Sequence, residues 1–297
     1  MEKIISTSYG GANSKVGDLL VNRLLPNRYV DAVGPFVFLD HLYPTNVKPA
    51  KPKAPNGDFA HPHRGIATFS YLFSGSLEHF DSYGHHGIVE AGGAQWMKAG
   101  NGVIHDEHNS PAFQEKGGEL HGLQFWINLP AENKAELPDY LAVQANDIPE
   151  VELPEEAGTL RVVIGSFGDN NSPVKTYSPQ FLYHIKLNAK STFVLKAKPG
   201  MEYAAFVPNE AVKINNDPFA KSEFISFGAD GDEITLSNPG ITVADVIIFG
   251  GEYYTEPIIA EGPFVMNTRQ EIGEAYRDFH LGKYGTIDYT KRSKNKH

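Results

Sequence analysis

Short apolar runs of strand length recur along the whole chain and are separated by turn residues. They are rich in β-branched and aromatic residues and are bounded by Gly, Pro, Asn or Asp, a pattern typical of β-strands. The clearest runs are Pro35–Leu39, Ala67–Phe73, Gly122–Ile127, Leu160–Ile164 and Val243–Phe249. The sequence therefore predicts a predominantly antiparallel all-β protein.

The helical period is nearly absent until the region that follows Asn267. There Thr268 and Glu271 have the spacing of a capping box, which marks the start of a helix. The apolar residues that follow have the spacing of one helix face, namely Ile272, Ala275, Tyr276 and Phe279. We therefore expect one short helix near the C-terminus.

The length of 297 residues suits two domains of ordinary size. A Pro- and Glu-rich stretch, Pro130–Glu156, carries few strand signals and is the natural boundary. We predict an N-terminal domain at 1–135, a linker at 136–155 and a C-terminal domain at 156–297. Nine of the twelve histidines lie between His41 and His121, so we expect any metal chemistry in the first domain.

Composition excludes several classes of function. The chain has no cysteine, which removes thiolate ligands, thiolate nucleophiles and disulfides. The formal net charge of −10 argues against direct binding to nucleic acid. No apolar run is long enough for a signal peptide or a membrane span, so we expect a cytoplasmic protein with no membrane partner. The only basic run, Lys291–Lys296, is predicted to be a solvated tail.

Two short motifs carry the candidate chemistry, His61-Pro62-His63 and His105-Asp106-Glu107. Alternate residues of a strand face the same side, so each motif presents a pair of potential metal ligands. Two such pairs on neighbouring strands can surround one divalent first-row metal ion. Strand parity alone leaves Asp106 and His108 as an alternative pair on the opposite face. Histidines that are only hydrogen-bonded within a core remain the structural alternative.

With these motifs, the chain resembles the pirin family of two-domain cupins. The segments that carry the resemblance in the first half are His61–Gly65, Ser70–Leu72, Gln95–Glu107 and His121–Leu129. In the second half they are Glu256–Ile258 and Gly262–Thr268. The resemblance implies an all-β fold of two cupin barrels (double-stranded β-helix, or jelly-roll, barrels) packed face to face, with a short C-terminal helix.

The resemblance also implies a ligand set for one metal ion in the N-terminal cupin domain. Carried over position by position, the ligands are His61, His63, His105 and Glu107. The expected metal is Fe(II), with Mn, Co, Ni, Cu or Zn as possible replacements. Ala67 stands where pirins generally have a glutamate, which implies the loss of a polar contact in the cavity. The C-terminal cupin domain is expected to lack a metal site.

The function that the resemblance implies is a quercetin 2,3-dioxygenase-like oxidoreductase that uses O₂ and a flavonol-like aromatic substrate. Glu107 is the expected catalytic base for the flavonol hydroxyl proton. The alternative is a non-catalytic, metal- or redox-responsive regulator that acts through a protein partner. A third possibility is a metal-binding scaffold without turnover. We expect the protein to be a monomer.

Several other residues have both a functional and a structural interpretation. Arg64 either binds an anionic substrate or pairs with a surface acid. His79 and Asp81 either hydrogen-bond a ligand imidazole or satisfy the backbone of a turn. The Gln95–Met97 segment is expected to pack the barrel.

Overall fold

The computed structural model describes residues 1–16 and 19–291. In the first half of the chain it contains strands β1 (Ile5–Tyr9), β2 (Ala12–Val16), β3 (Leu19–Leu25), β4 (Phe36–Val47), β5 (His61–His63), β6 (Ile66–Ser74), β7 (Ser76–Asp81), β8 (His86–Glu90), β9 (Ala94–Lys98), β10 (Val103–Asn109), helix α1 (Pro111–Lys116), and strands β11 (Gly118–Asn128) and β12 (Asp139–Val143). The predicted basic tail lies outside the described residues except for Lys291.

The second half is also mostly β. It contains strands β13 (Glu150–Glu152), β14 (Gly158–Ile164), β15 (Ser166–Phe167), β16 (Asn170–Asn171), β17 (Gln180–Leu187), β18 (Thr192–Lys196), β19 (Met201–Phe206), β20 (Val212–Ile214), β21 (Asp217–Phe219), β22 (Phe224–Phe227), β23 (Glu233–Ser237), β24 (Ala244–Glu252), β25 (Ile259–Glu261) and β26 (Phe264–Met266), and helix α2 (Arg269–His280). Three single 3-10 turns lie between β11 and β14, at Ala131–Asn133, Ala145–Asp147 and Pro154–Glu156.

The chain divides into two compact units, each assembled from stretches that are separated in sequence. The first unit holds Met1–Ser14, Val21–His41 and Asn146–Tyr254, and the second holds Lys15–Leu20, Leu42–Ala145 and the chain from Thr255. The predicted domain limits, 1–135 and 156–297 with a linker at 136–155, remain a prediction.

The first unit is built on two antiparallel sheets. Its larger sheet has the strand order β1-β22-β19-β24-β17-β14-β13, and its smaller sheet has the order β18-β23-β20-β21. Alternate residues of these strands point into a continuous apolar core, which includes Leu160, Val162, Ile185, Ile225 and Val246. The interior of this unit is therefore filled by packed hydrophobic side chains.

The second unit carries the histidine motifs. Strands β5, β10, β7 and β8 form one antiparallel sheet in that order, and β12, β9, β6 and β11 lie side by side in the other sheet. In the second sheet, Ser70 on β6 lies opposite both Gln95 on β9 and Gln124 on β11. These three polar side chains therefore share one face of the sheet.

The predicted fold class is confirmed, since the chain is mostly β, with two cupin-type domains and a short C-terminal helix. The five predicted runs fall within or overlap β4, β6, β11, β14 and β24. Helix α2 begins as predicted: Glu271 N–H donates to Thr268 Oγ1 at 3.2 Å, and Thr268 N–H donates to Glu271 Oε2 at 2.7 Å. Of the described helices, none is long and apolar enough to cross a membrane.

Helix α1 was not predicted. It has six residues, which is too short for a helical period to show in the sequence. Its start signals are nevertheless present, because Ser110 accepts a hydrogen bond from Phe113 N–H and Pro111 occupies the first turn.

Candidate metal centre

Strands β5 and β10 bring three imidazoles together. The two strands pair in antiparallel register, with His61 opposite His105 and Val103 opposite His63. The ring centroids lie 4.8 Å apart for His61 and His63, 4.4 Å for His61 and His105, and 5.1 Å for His63 and His105. One ring nitrogen from each histidine lies within 4.8 Å of the others, so the three could hold one cation.

Backbone carbonyls fix which nitrogen each imidazole of the HxH motif presents. The Nδ1 of His61 lies 2.8 Å from the carbonyl oxygen of Phe59, and the Nδ1 of His63 lies 3.1 Å from that of Pro263. A carbonyl only accepts, so each Nδ1 carries the proton and each Nε2 keeps a free lone pair. The His105 Nε2 lies 3.1 Å from the His61 Nε2, on the same side of the cluster. Orienting bonds of this kind are those that metal-binding histidines make in proteins, so the donor set fits a divalent metal.

Glu107 lies beside this cluster. It pairs across the sheet with His79 on β7 and forms a second group of potential ligands with His79 and His105. Its Oε1 is 3.5 Å from His105 Nδ1 and 3.8 Å from His79 Nδ1. Among the described residues, no single group of this kind contains all four predicted ligands. Ligation by Glu107 together with the three histidines therefore remains a prediction.

The opposite face of β10 has other partners. Asp106 accepts a hydrogen bond from the Tyr289 hydroxyl at 2.7 Å, and the His108 Nε2 lies 3.1 Å from Glu78 Oε2. The alternative pair that strand parity left open, Asp106 and His108, thus points away from His61 and is occupied elsewhere.

A second group of side chains, not recognised in the sequence, contacts Glu107. Gln95 Nε2 donates to Glu107 Oε1 at 2.7 Å, and the Tyr140 hydroxyl donates to Gln95 Oε1 at 3.1 Å. The Tyr140 ring is stacked on His79 with centroids 4.2 Å apart and planes 7° apart. Burial, and next the charges of Glu107 and Asp81, raise the pKa of Tyr140, so its hydroxyl keeps its proton.

Burial and proximity set the protonation states of the cluster. Burial lowers the pKa of His63 well below its ordinary value, and the charges of His105 and His61 lower it further. Burial, followed by the charge of His61, lowers the pKa of His105 to about 4. Burial alone would raise the pKa of Glu107, but the nearby imidazoles of His105 and His79 outweigh it and hold the pKa below its usual range. Neutral imidazoles beside an ionised carboxylate are the forms that bind a cation.

The residues with two interpretations are now placed. Arg64 Nη1 donates to Asp278 Oδ2 at 2.9 Å, so Arg64 pairs with an acid. Asp81 accepts hydrogen bonds from the backbone N–H groups of Tyr83 and His85, both at 2.9 Å, and satisfies the turn. Its other oxygen lies 3.4 Å from His79 Nε2, and His79 is not one of the predicted ligands, so the interpretation as a turn residue is the one that holds for Asp81.

Ala67 does not face the cluster. Strand β6 is regular at this point, and Ala67 pairs with Lys98 and Ile127. Alternation places it on the face opposite to that of Ser70, which meets Gln95. The expected loss of a polar cavity contact at Ala67 is therefore wrong, because no side chain at this position would point to the cavity.

Two cupin-type domains with an imidazole cluster in one of them define a bicupin. The chain belongs to the pirin family, since residues 19–127 match the Pirin model and residues 182–285 match the model of the Pirin C-terminal cupin domain.

Individual relatives agree with this assignment. The chain is 34% identical over 287 residues to a Pseudomonas aeruginosa protein named "putative quercetin 2,3-dioxygenase", a match that covers 96% of this chain and 99% of that protein. A solved quercetin 2,3-dioxygenase from Acinetobacter baumannii is 33% identical with a TM-score of 0.90, over 97% of this chain and 100% of that one. A bacterial pirin from Escherichia coli, solved in complex with nickel(II), shares the fold at 18% identity with a TM-score of 0.62, over 84% of this chain and 100% of that one.

Proposed function

We propose that this chain is a metal-dependent oxidoreductase of the quercetin 2,3-dioxygenase type, with O₂ and a flavonol-like aromatic compound as substrates. The observation that carries the proposal is the convergence of three imidazoles, two of which are held by backbone carbonyls so that Nε2 is unprotonated. The proposed ligands are His61, His63, His105 and Glu107, and the proposed metal is Fe(II).

The names of relatives support the reaction type. The relatives from Pseudomonas aeruginosa and Acinetobacter baumannii, both about one third identical to this chain, carry the name quercetin 2,3-dioxygenase, the former as putative. The Escherichia coli pirin was solved with nickel(II), which is consistent with a histidine-rich site that accepts more than one first-row metal.

When bound, the metal would supply a Lewis-acidic centre for the substrate oxygens and for O₂. The protein's own side chains would transfer the proton and bind the substrate. Glu107 accepts the proton of the flavonol hydroxyl, and its Oε1 accepts a hydrogen bond from Gln95 Nε2. The His61 side is open to solvent, so a substrate enters there. The half-buried Trp126, whose ring lies 5.0 Å from that of His63, offers an aromatic surface beside the cluster.

The proposal predicts that protein purified without oxygen and loaded with Fe(II) removes the flavonol absorbance band of quercetin, consumes O₂ and releases carbon monoxide. Glu107→Ala should lower kcat by about 10²- to 10⁴-fold, the usual contribution of a general base. His61→Ala should lose both activity and bound iron. His280→Ala, which removes an exposed histidine on α2, is the matched control and should behave like the wild-type protein.

An iron-loaded protein without turnover, or a Glu107→Ala variant with unchanged kcat, would contradict the proposal. The regulator alternative then predicts a protein partner whose capture from a cell extract depends on the oxidation state of the bound metal.

A further inference from the structure

Gln95, on strand β9, donates a short hydrogen bond to the carboxylate of Glu107. Its side chain is buried, at 2% exposure, and its Nε2 lies 2.7 Å from Glu107 Oε1. The contact joins strand β9 of one sheet to strand β10 of the other. The buried amide does more than fill space in the core, because it donates a hydrogen bond to one oxygen of Glu107, a proposed metal ligand.

The partners of Gln95 allow only one orientation of its amide. Tyr140 donates to Gln95 Oε1 at 3.1 Å, and Gln95 Nε2 donates to Glu107 at 2.7 Å and to Ser70 Oγ at 3.4 Å. The Ser70 hydroxyl proton is used by Gln124, whose Oε1 lies 2.7 Å away, so Ser70 can only accept from Gln95. A flipped amide would direct its oxygen at the Glu107 carboxylate and lose these hydrogen bonds.

Tyr140 is held in turn by its ring. The ring is stacked on the fully buried His79, and β12 pairs with β9 so that Tyr140 lies opposite Met97, two residues beyond Gln95. The stacking on His79 and the pairing of β12 with β9 therefore hold the Tyr140 hydroxyl beside the Gln95 amide.

We propose that Gln95 is a positioning residue for Glu107, and that Tyr140 keeps the Gln95 amide in the orientation this requires. The hydrogen bond from Gln95 occupies Oε1 of Glu107 and restricts rotation of the carboxylate. The other oxygen, Oε2, is then the atom that Glu107 offers to a metal ion. The inference rests on the proposed metal centre and does not require that the proposed reaction occurs. Its consequences therefore appear in metal binding as well as in catalysis.

The test uses two variants: Gln95→Met removes all three hydrogen bonds of the amide, and Tyr140→Phe removes only the one from its hydroxyl. Gln95→Met has a side chain of similar length without a donor, and Tyr140→Phe deletes only the hydroxyl and keeps the ring on His79. The matched control is Gln144→Met, because Gln144 Nε2 donates to the backbone carbonyl of Ile88 at 2.8 Å in the same unit, without contacting the cluster. The probe is Co(II) added to the metal-free full-length protein.

Two properties are measured, the dissociation constant for Co(II) in competition with a chelator and the visible ligand-field spectrum of the bound ion. Gln95→Met should weaken Co(II) binding by about 10- to 100-fold, as loss of an orienting partner does in other metal sites, and should change the spectrum. Tyr140→Phe should change both in the same direction by a smaller factor. Gln144→Met should bind Co(II) with the affinity and the spectrum of the wild-type protein.

Wild-type affinity and spectrum in both Gln95→Met and Tyr140→Phe would overturn the inference, as would an equal loss in Gln144→Met. If Gln95→Met does not fold, the Co(II) affinity and spectrum of Tyr140→Phe alone test the inference. Should quercetin turnover also be found, Gln95→Met should lower kcat with little change in KM. Absence of turnover in the wild-type protein would reject the proposed function while leaving the Co(II) measurements able to support or reject the positioning role.

Discussion

At the scale of single residues, the buried ammonium group of Lys134 shows how the neighbourhood of the histidine cluster is held. Its Nζ donates to Gly65 O at 2.9 Å, Asn128 Oδ1 at 2.6 Å and Val265 O at 2.8 Å, and the residue is 4% exposed. Three donors meet three acceptors, so the group is fully satisfied. One side chain thus joins the turn after β5, the end of β11 and strand β26.

Replacing Lys134 with methionine keeps much of the apolar stem but removes these three buried hydrogen bonds and leaves the Asn128 Oδ1 without this donor. We expect the free energy of unfolding to fall by about 2–4 kcal/mol, since each unsatisfied buried polar group costs about 1–3 kcal/mol. Urea unfolding followed by the fluorescence of Trp96 and Trp126 measures it, because both tryptophans lie in the same compact unit as Lys134. Lys116→Met, at an exposed position on α1, is the control, and equal stability of the two variants would contradict the prediction.

At the scale of secondary-structure elements, the short strands β5 and β10 show what local sequence can predict. The alternation of side chains predicted that His61 and His63 share one face, and that His105 and Glu107 do so too, while the resemblance to pirins chose this second pair over Asp106 and His108. The antiparallel register of β5 and β10 places the three histidines together. Helix α2 was likewise predicted from a capping box, which is a signal contained within four residues.

What could not be predicted depends on elements that meet only in the folded chain. The sequence assigned Gln95 only to packing. Its contact with Glu107 could not be predicted, because it requires β9 of one sheet to face β10 of the other. The carbonyl of Pro263 has no sequence signal, because every residue has a carbonyl group. The face of Ala67 could be read only from its pairing with Ile127, which depends on the register of β6 with β11.

The cap of helix α2 gives a prediction at this scale. Thr268→Ala removes the side-chain acceptor of the Glu271 N–H, and we expect a loss of about 1 kcal/mol in the free energy of unfolding. Thr268→Ser keeps a hydroxyl at the same position and should retain most of the stability. The measurement is urea unfolding of both variants, and a Thr268→Ala protein as stable as Thr268→Ser would show that the cap contributes nothing.

At the scale of the whole molecule, the histidines of the two compact units have different roles. In the second unit, the buried His63 and His105 and the exposed His61 converge on a candidate metal centre. In the first unit, the buried His184 instead donates from Nε2 to Asp245 Oδ1 at 2.8 Å and links β17 to β24. Burial lowers the pKa of His184, and the hydrogen bond to Asp245 offsets this only in part. Burial alone would raise the pKa of Asp245, but its hydrogen bond with His184 outweighs it and lowers the pKa.

Both pKa shifts mean that a fall in pH destabilises the folded first unit relative to the unfolded chain. The unfolded chain binds a proton on His184 at a higher pH than the folded chain does, so stability should fall as the pH drops below about 6.5. Asp245 adds a further loss as the pH falls below about 4. Urea unfolding followed by circular dichroism at pH 7.5 and 5.0 should show this loss in the wild-type protein and a smaller one in His184→Gln. An unchanged pH dependence in that variant, compared with the exposed-site control His280→Gln, would contradict the assignment.

The hydrogen bond between His63 and Pro263 also bears on the order of events during protein synthesis. The acceptor of the His63 Nδ1 proton lies 200 residues later in the chain than the imidazole itself. At translation rates of about 5–20 residues per second, the ribosome adds that acceptor roughly 10–40 s after it has made His63. During this interval the imidazole has no fixed tautomer from this source, so the candidate metal centre can take its complete form only after Pro263 has been added.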